Sequence, residues 1–142
     1  THVEATSYPY YNTKENLHTD VTIIPDAICS SSIFLAEKTK ASAIAVMTSS
    51  GYTAFEISSY RPDADIYTFT GNSKLLNQLS LVWGVKAFIY DKYESTDGTI
   101  QDVNDLLKDH NLVAPGEIVI NTSSTPLHEK GKSNTIRVSI VK

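Results

Sequence analysis

Strand-like and helix-like segments take turns along residues 43–122, and that alternation restricts the fold more than any other feature of the chain. Residues 43–49 begin with an unbroken apolar run, Ala43-Ile-Ala-Val-Met47, which predicts a buried strand. A helix follows over 53–60, and Arg61-Pro62 stops it, because the residue before a proline is pushed out of the α region. Ile66-Tyr-Thr-Phe-Thr70 is β-branched and aromatic with clean alternation, the pattern of a second strand. Gly71-Asn72-Ser73 reads as a turn and helix cap. Leu75, Leu76, Leu79, Val82 and Trp83 then fall on one helical face, with Trp83 as a core or helix-end packing residue. Gly84 breaks that helix before a third strand at 85–90. Thr99 or Asp97 is expected to cap a further helix bearing Ile100, Val103, Leu106 and Leu107, and Asn111 to end it in the left-handed conformation. A fourth strand covers 117–122 and a last one 135–141.

Such alternation implies an α/β fold with a mostly parallel sheet. The last two strands are joined by a long polar loop, 123–133, with no room for a crossover helix. The final strand is therefore expected to be antiparallel and to lie at an edge. Upstream, Ile24-Pro25-Asp26 has the marks of a helix start, with proline in the first turn and an acid near the positive end. Ala27, Ile28, Ser31, Leu35, Ala36 and Thr39 give this helix a small-residue face suited to close packing on a sheet or a second subunit. Residues 1–23 show no periodicity and read as an arm or linker remnant, leaving 24–142 as the domain.

The chain has 142 residues, enough for one domain with a real core. Its net charge of −4 argues against a general nucleic-acid surface, and no apolar run has the length of a membrane span. The one cysteine, Cys29, excludes an internal disulfide framework and fits a cytoplasmic origin; mid-helix and without an evident histidine partner, it reads as a buried inert thiol. The four histidines, His2, His18, His110 and His128, show no paired metal-ligand spacing, so no metal site is expected. The start at Thr1 suggests a cut or processed chain.

The chemistry-bearing stretch is Thr48-Ser-Ser-Gly-Tyr-Thr53, between the first strand and its helix. The first N–H groups of a helix have no internal partner, and the helix dipole favours an anion there. Thr48, Ser49, Ser50 and Thr53 add hydroxyl donors, and Gly51 allows close approach or a positive φ. A plain strand-to-helix turn with Thr53 as N-cap is the bland alternative. The stretch lacks the Gly-Lys-Ser/Thr ending of a Walker A loop and the three glycines of a dinucleotide fingerprint. Lys130 and Lys132, around Gly131, are the one local basic feature and would project from the same sheet edge, forming with the hydroxyl loop a clamp for a phosphorylated small molecule. No carboxylate pair, nucleophile elbow or strand-end aspartate stands out, so the residues describe a binding domain without catalytic equipment.

Residues 43–62 resemble the strand, phosphate loop and following helix of the pyruvate kinase C-terminal domain, with the pattern T-x-S-G-x-[ST]-A and a helix ending in Y/H-R-P. Leu79-Ser-Leu-Val-Trp-Gly-Val85, Pro115-Gly-Glu117 and Gly131-Lys-Ser-Asn-Thr-Ile-Arg-Val138 recur in the family's order. The resemblance covers 24–142. It implies a three-layer α/β/α domain with a five-stranded, mostly parallel sheet and one antiparallel edge strand. It implies a parent that transfers phosphate between phosphoenolpyruvate and ADP, using Mg2+ and K+ at a (β/α)8 barrel for which this chain has no room. The domain itself would then hold no cofactor, be inactive alone, and serve effector binding and subunit contact in a homo-tetramer. By the same resemblance Thr48, Ser49, Ser50, Gly51 and Thr53 would hold an effector phosphate, such as that of a sugar phosphate. Residues 128–133, with Lys130, Gly131 and Lys132, would close over it. Members that bind fructose 1,6-bisphosphate often carry an arginine near the start of the fourth helix. Here Thr99 or a neighbour stands nearest that position, and no arginine lies between Arg61 and Arg137. A lysine substitute, a sugar monophosphate, a nucleotide monophosphate, an empty, purely structural subunit-interface domain, or a stand-alone phosphometabolite-binding module with no kinase partner are the alternatives left open.

Overall fold

A strand that is apolar on both faces must have layers above and below it, and Ala43–Met47 (β1) has both. The computed structural model describes residues 23–92, 95–124 and 133–142. The remaining elements, in chain order around β1, are α1 (Ile23–Thr39), α2 (Tyr52–Ser59), β2 (Asp65–Thr70), α3 (Ser73–Leu79), β3 (Val85–Ile89), α4 (Thr96–Asp109), β4 (Ile118–Ser123) and β5 (Thr135–Ile140). The sheet runs β3-β2-β1-β4-β5. Its first four strands are parallel, and β5 lies antiparallel to β4 with Ile118 opposite Ile140 and Ser123 opposite Thr135. The three-layer arrangement and the antiparallel edge expected from the sequence are both present.

Every residue of β1 is buried. Ile44 and Val46 pack with Cys29, Ile33 and Ala36 of α1, Ala54 and Ile57 of α2, and Leu75 and Leu79 of α3. Ala43, Ala45 and Met47 face the opposite layer, with Tyr67, Phe69, Val103, Leu107 and Val119. Three helices thus cover one face and α4 the other. A buried polar group ties α4 to the antiparallel edge: Asn104 Nδ2 donates to Ser139 Oγ at 2.9 Å, and Ser139 Oγ donates to Asn121 Oδ1 at 2.7 Å. Arg137 of β5 adds an ion pair to Asp97 in the first turn of α4.

Several element ends differ from expectation, each for a local reason. β1 stops at Met47 rather than 49, because the chain turns at Ser49 and Ser50. α2 starts at Tyr52 with Gly51, not Thr53, as its N-cap. α3 ends at Leu79: the Ser80 hydroxyl donates back to Asn77 O at 2.7 Å, and a chain of tight turns leads to Gly84 at φ +69°. Trp83 therefore lies beyond the helix, 48% exposed, with its ring beneath the Arg61 guanidinium at 5.2 Å. α4 is capped by Ser95, whose Oγ accepts from Gly98 N at 3.0 Å, ahead of Asp97 and Thr99. Asn111 follows that helix at φ +60°, in the left-handed region as expected. In α1 the buried line is Pro25, Cys29, Ser32, Ile33 and Ala36, so Ala27 and Ser31 of the small-residue face point outward.

Phe69 is 1% exposed and stacks on Phe88 with ring centroids 5.4 Å apart. Phe69→Ala should lower the unfolding free energy by about 3–5 kcal/mol, read from urea denaturation, because it leaves a cavity in the α4 layer.

Candidate functional site

The strand order reverses at the centre of the sheet. β1 leads through α2 to β2 on one side, whereas its other neighbour, β4, is reached from β3 through α4. In open α/β sheets a ligand crevice forms at such a reversal, beyond the carboxyl ends of the strands. Residues 48–51 leave β1 at this place, and the segment after β4 leaves beside it.

Gly51 shapes the turn. Its φ of +87° is strained for any L-residue, and a Cβ there would meet Leu75 Cδ1 at 2.7 Å and Phe55 Cε2 at 2.9 Å. Gly51 N donates to Thr48 Oγ1 at 2.8 Å, and Tyr52 N donates to Ser50 Oγ at 3.3 Å. The first bond of α2 runs from Phe55 N to Gly51 O at 3.0 Å. Because the cap is a glycine, the capping residue itself offers no side-chain acceptor to this helix. The N–H groups of Ser49, Ser50, Thr53 and Ala54 meet no acceptor among the described residues. Ser49 and Ser50 are exposed, Thr48 is half-buried, and Gly51 is buried. The result is a set of backbone and hydroxyl donors at the positive end of a helix, chemistry that suits a compact anion such as a phosphate group.

Thr48, Ser49, Ser50 and Gly51 lie next to one another in this one turn. Thr53 contributes differently. Its hydroxyl is buried and lies 2.8 Å from Ser133 Oγ, so its side chain joins the β1 loop to the segment entering β5. Asn134 N donates to Ser123 O at 3.0 Å and holds that segment against the end of β4. Lys130, Gly131 and Lys132 lie outside the described residues. Two contacts that no local pattern announces tie the start of α2 to α1. The Tyr52 hydroxyl donates to the Asp26 carboxylate in the first turn of α1, and Cys29 Sγ lies 3.9 Å from Thr53 O. Both pair residues more than twenty positions apart, beyond the reach of helical or strand spacing.

Burial, helped by the Glu56 and Asp26 carboxylates, pushes the Cys29 thiol up to about 12. The thiolate is therefore scarce at neutral pH, and Cys29 acts as packing rather than as a nucleophile. Among the described residues, no group of three or more His, Cys, Asp or Glu side chains could hold a metal ion, and no helix is long and apolar enough to cross a membrane. An apolar recess of about 220 Å³ lies away from the loop, between β2, β3 and α4, lined by Phe69, Phe88, Ile89, Leu106, Leu107 and His110.

A doubly wound α/β domain with an open helix start at its strand-order reversal is the class that fold and site define. Residues 26–139 match the family described as "Pyruvate kinase, alpha/beta domain", and the chain belongs to the pyruvate kinase family as this domain. It is 34% identical over 118 residues to a pyruvate kinase of Lactobacillus delbrueckii subsp. bulgaricus, covering 83% of this chain and 20% of that protein. It is also 34% identical over 121 residues to pyruvate kinase 2 of a Synechocystis strain, covering 85% of this chain and 20% of that protein. The chain therefore spans about a fifth of the length of these relatives. Among solved structures, a pyruvate kinase of Cryptosporidium parvum superposes with a TM-score of 0.79 at 22% identity, over 96% of this chain and 25% of that one. The Cryptosporidium parvum enzyme in complex with ADP gives 0.78 at 24% identity, over 96% and 27%. At those identities the likeness is one of fold.

Two outcomes follow from the local geometry. Gly51→Ala should destabilise the domain by about 1–2 kcal/mol in thermal or urea unfolding, from the left-handed backbone alone. Cys29 should resist a thiol reagent at pH 8 in the native state and react fully once the chain is unfolded in guanidinium. Its contribution to stability is present below the ordinary thiol value of 9.0 and declines as the pH rises from there towards 12.

Proposed function

We propose that this chain is the regulatory and subunit-contact domain of a pyruvate kinase, and that the 48–53 loop binds the phosphate group of a small effector such as a sugar phosphate. The observation that carries the reading is the start of α2. A left-handed glycine cap supplies no side-chain acceptor of its own, and the N–H groups of Ser49, Ser50, Thr53 and Ala54, next to the Thr48, Ser49 and Ser50 hydroxyls, meet no acceptor among the described residues. Such an arrangement serves an anion, and its place at the strand-order reversal is where ligands of open α/β sheets sit. Family membership supports the regulatory role, with Lys130, Gly131 and Lys132 closing over the effector. In this reading the parent protein is a cytoplasmic phosphotransferase acting on phosphoenolpyruvate and ADP. Its Mg2+ and K+ belong to a catalytic barrel outside this domain, and the domain alone is inactive.

The outward side of α1 supports the subunit-contact role. Ile23, Ile24 and Phe34 are 49%, 55% and 46% exposed, an apolar surface of the kind that oligomers cover. The effector site and the contact surface lie on the same layer of the domain, because α1 and α2 pack side by side.

Thermal unfolding with millimolar fructose 1,6-bisphosphate, ribose 5-phosphate, AMP or inorganic phosphate tests the reading. A ligand held only by the native state at a hundredfold excess over its Kd adds about 2.7 kcal/mol of stability. A selective rise in Tm with one of these is expected, and no rise with any of them leaves a purely structural domain. Ser50→Asp should remove the rise by placing a fixed negative charge in the loop. Its unliganded stability should stay within about 0.5 kcal/mol of the parent chain, because Ser50 is exposed. An unchanged ligand response in Ser50→Asp would take residues 48–53 out of the site.

A further inference from the structure

Tyr52 stands directly after the left-handed Gly51, as the first residue of α2, with the N–H donors of the loop on either side of it in sequence. Its phenol reaches across to a second helix, where the hydroxyl donates to Asp26 Oδ1 in the first turn of α1. A phenol donating to a carboxylate is a charge-assisted hydrogen bond, roughly twice as strong as a neutral one. The ring between backbone and hydroxyl has only two side-chain torsions, so it transmits displacement as a rigid arm. Desolvation and then the Asp26 carboxylate push the Tyr52 hydroxyl well above its ordinary value, so it stays a donor at physiological pH. The other end of α2 is tied to α1 as well, with Ser30 Oγ and Tyr60 Oη 3.2 Å apart. Between the two ties the helices touch through apolar packing of Cys29 and Ile33 against Ala54 and Ile57, and through the weak, long Cys29 Sγ–Thr53 O contact at 3.9 Å.

We propose that the Tyr52–Asp26 hydrogen bond is the link through which anion occupancy of the 48–53 loop is transmitted to α1, and so to its exposed apolar face. The inference rests on the anion-binding reading above and adds its route of regulation. An anion drawing in the N–H groups of Ser50 and Thr53 shifts the peptide units that flank Tyr52. The arm carries that shift to the first turn of α1, next to Ile23 and Ile24. Apolar contacts between the helices tolerate sliding, whereas a single directed hydrogen bond does not. The tie at Ser30 and Tyr60 lies at the far end of α2 and acts as the pivot. Tyr52 is in this account a positioning residue for α1, and the anion is held by the loop itself.

Hydrogen exchange of the 142-residue chain, read by mass spectrometry with and without fructose 1,6-bisphosphate or inorganic phosphate, tests the link. In the parent chain, bound anion should slow exchange both at 49–55 and in α1. The α1 effect should be about tenfold, within the usual range of coupling between sites. Tyr52→Phe keeps the ring and removes only the donor. It should retain the anion-dependent protection at 49–55, with a Kd within about threefold of the parent, and lose the response in α1. Asp26→Ala should behave alike, and the double variant should be no worse than either single one. Asp26→Asn, which still offers an acceptor oxygen, should keep a weakened response. An α1 response that persists undiminished in both Tyr52→Phe and Asp26→Ala overturns the link. Anion binding by the parent chain without any change in α1 also overturns it. Loss of anion binding itself in Tyr52→Phe does so too, since the tether would then belong to the loop's own structure. If no anion protects 49–55 in the parent chain, the binding reading fails first, and that failure is read at the loop rather than at the helix.

Discussion

A strand hydrogen-bonded on both edges and buried on both faces has no solvent-facing direction left, and β1 is in that position. Its register with β2 and β4 places Val46 beside Thr68 on one edge and Thr122 on the other, and a one-residue slip along either edge would exchange the side chains between its two layers. Everything that follows β1 starts from a fixed point as a result. The loop at 48–51 leaves a strand that cannot shift, Gly51 lies against Leu75 and Phe55, and α2 starts at a defined height above the sheet. The N–H groups at the start of α2 are thereby held in fixed positions.

The parts of this architecture that sequence reveals are those encoded over short distances. Ile66-Tyr-Thr-Phe-Thr70 alternates because its sides face different layers, and β1 does not alternate because both of its layers are apolar. The antiparallel edge is legible from the shortness of the segment that joins the last two strands. The turn at 48–51 is legible because hydroxyls and one glycine cluster where a strand gives way to a helix. Helix ends were less legible. Ser95 caps α4, although Asp97 and Thr99 are chemically able to do so, and only the course of the incoming chain decides among such neighbours. Trp83 fits a helical face by spacing, but the helix has already ended at Leu79, and the ring finds Arg61 from another segment. The Thr53–Ser133 and Tyr52–Asp26 contacts were invisible for the same reason: each joins residues that only the finished fold brings together.

Thr53 illustrates how one residue can serve two demands. Its backbone N–H remains among the open donors, while its hydroxyl is fully enclosed with that of Ser133. Neither hydroxyl is exposed, and the pair makes the seat of the loop depend on the segment that enters β5. The site is therefore assembled from both sides of the sheet's centre.

The position of β1 also governs how such a chain reaches its native state. β1, β2 and β3 are consecutive neighbours, and each pairing closes over a single helix. The second edge of β1 waits for β4, whose Val119 pairs with Ala43 only after the whole of the intervening chain has been made and ordered. Pairings of that sequence separation are entropically late and slow. Until then the inner edge of β1 is an open template with unpaired backbone groups and an apolar surface on each side. A nascent or truncated chain ending before β4 would present that edge to other molecules, so the most protected strand of the finished domain is the most aggregation-prone one of its unfinished form.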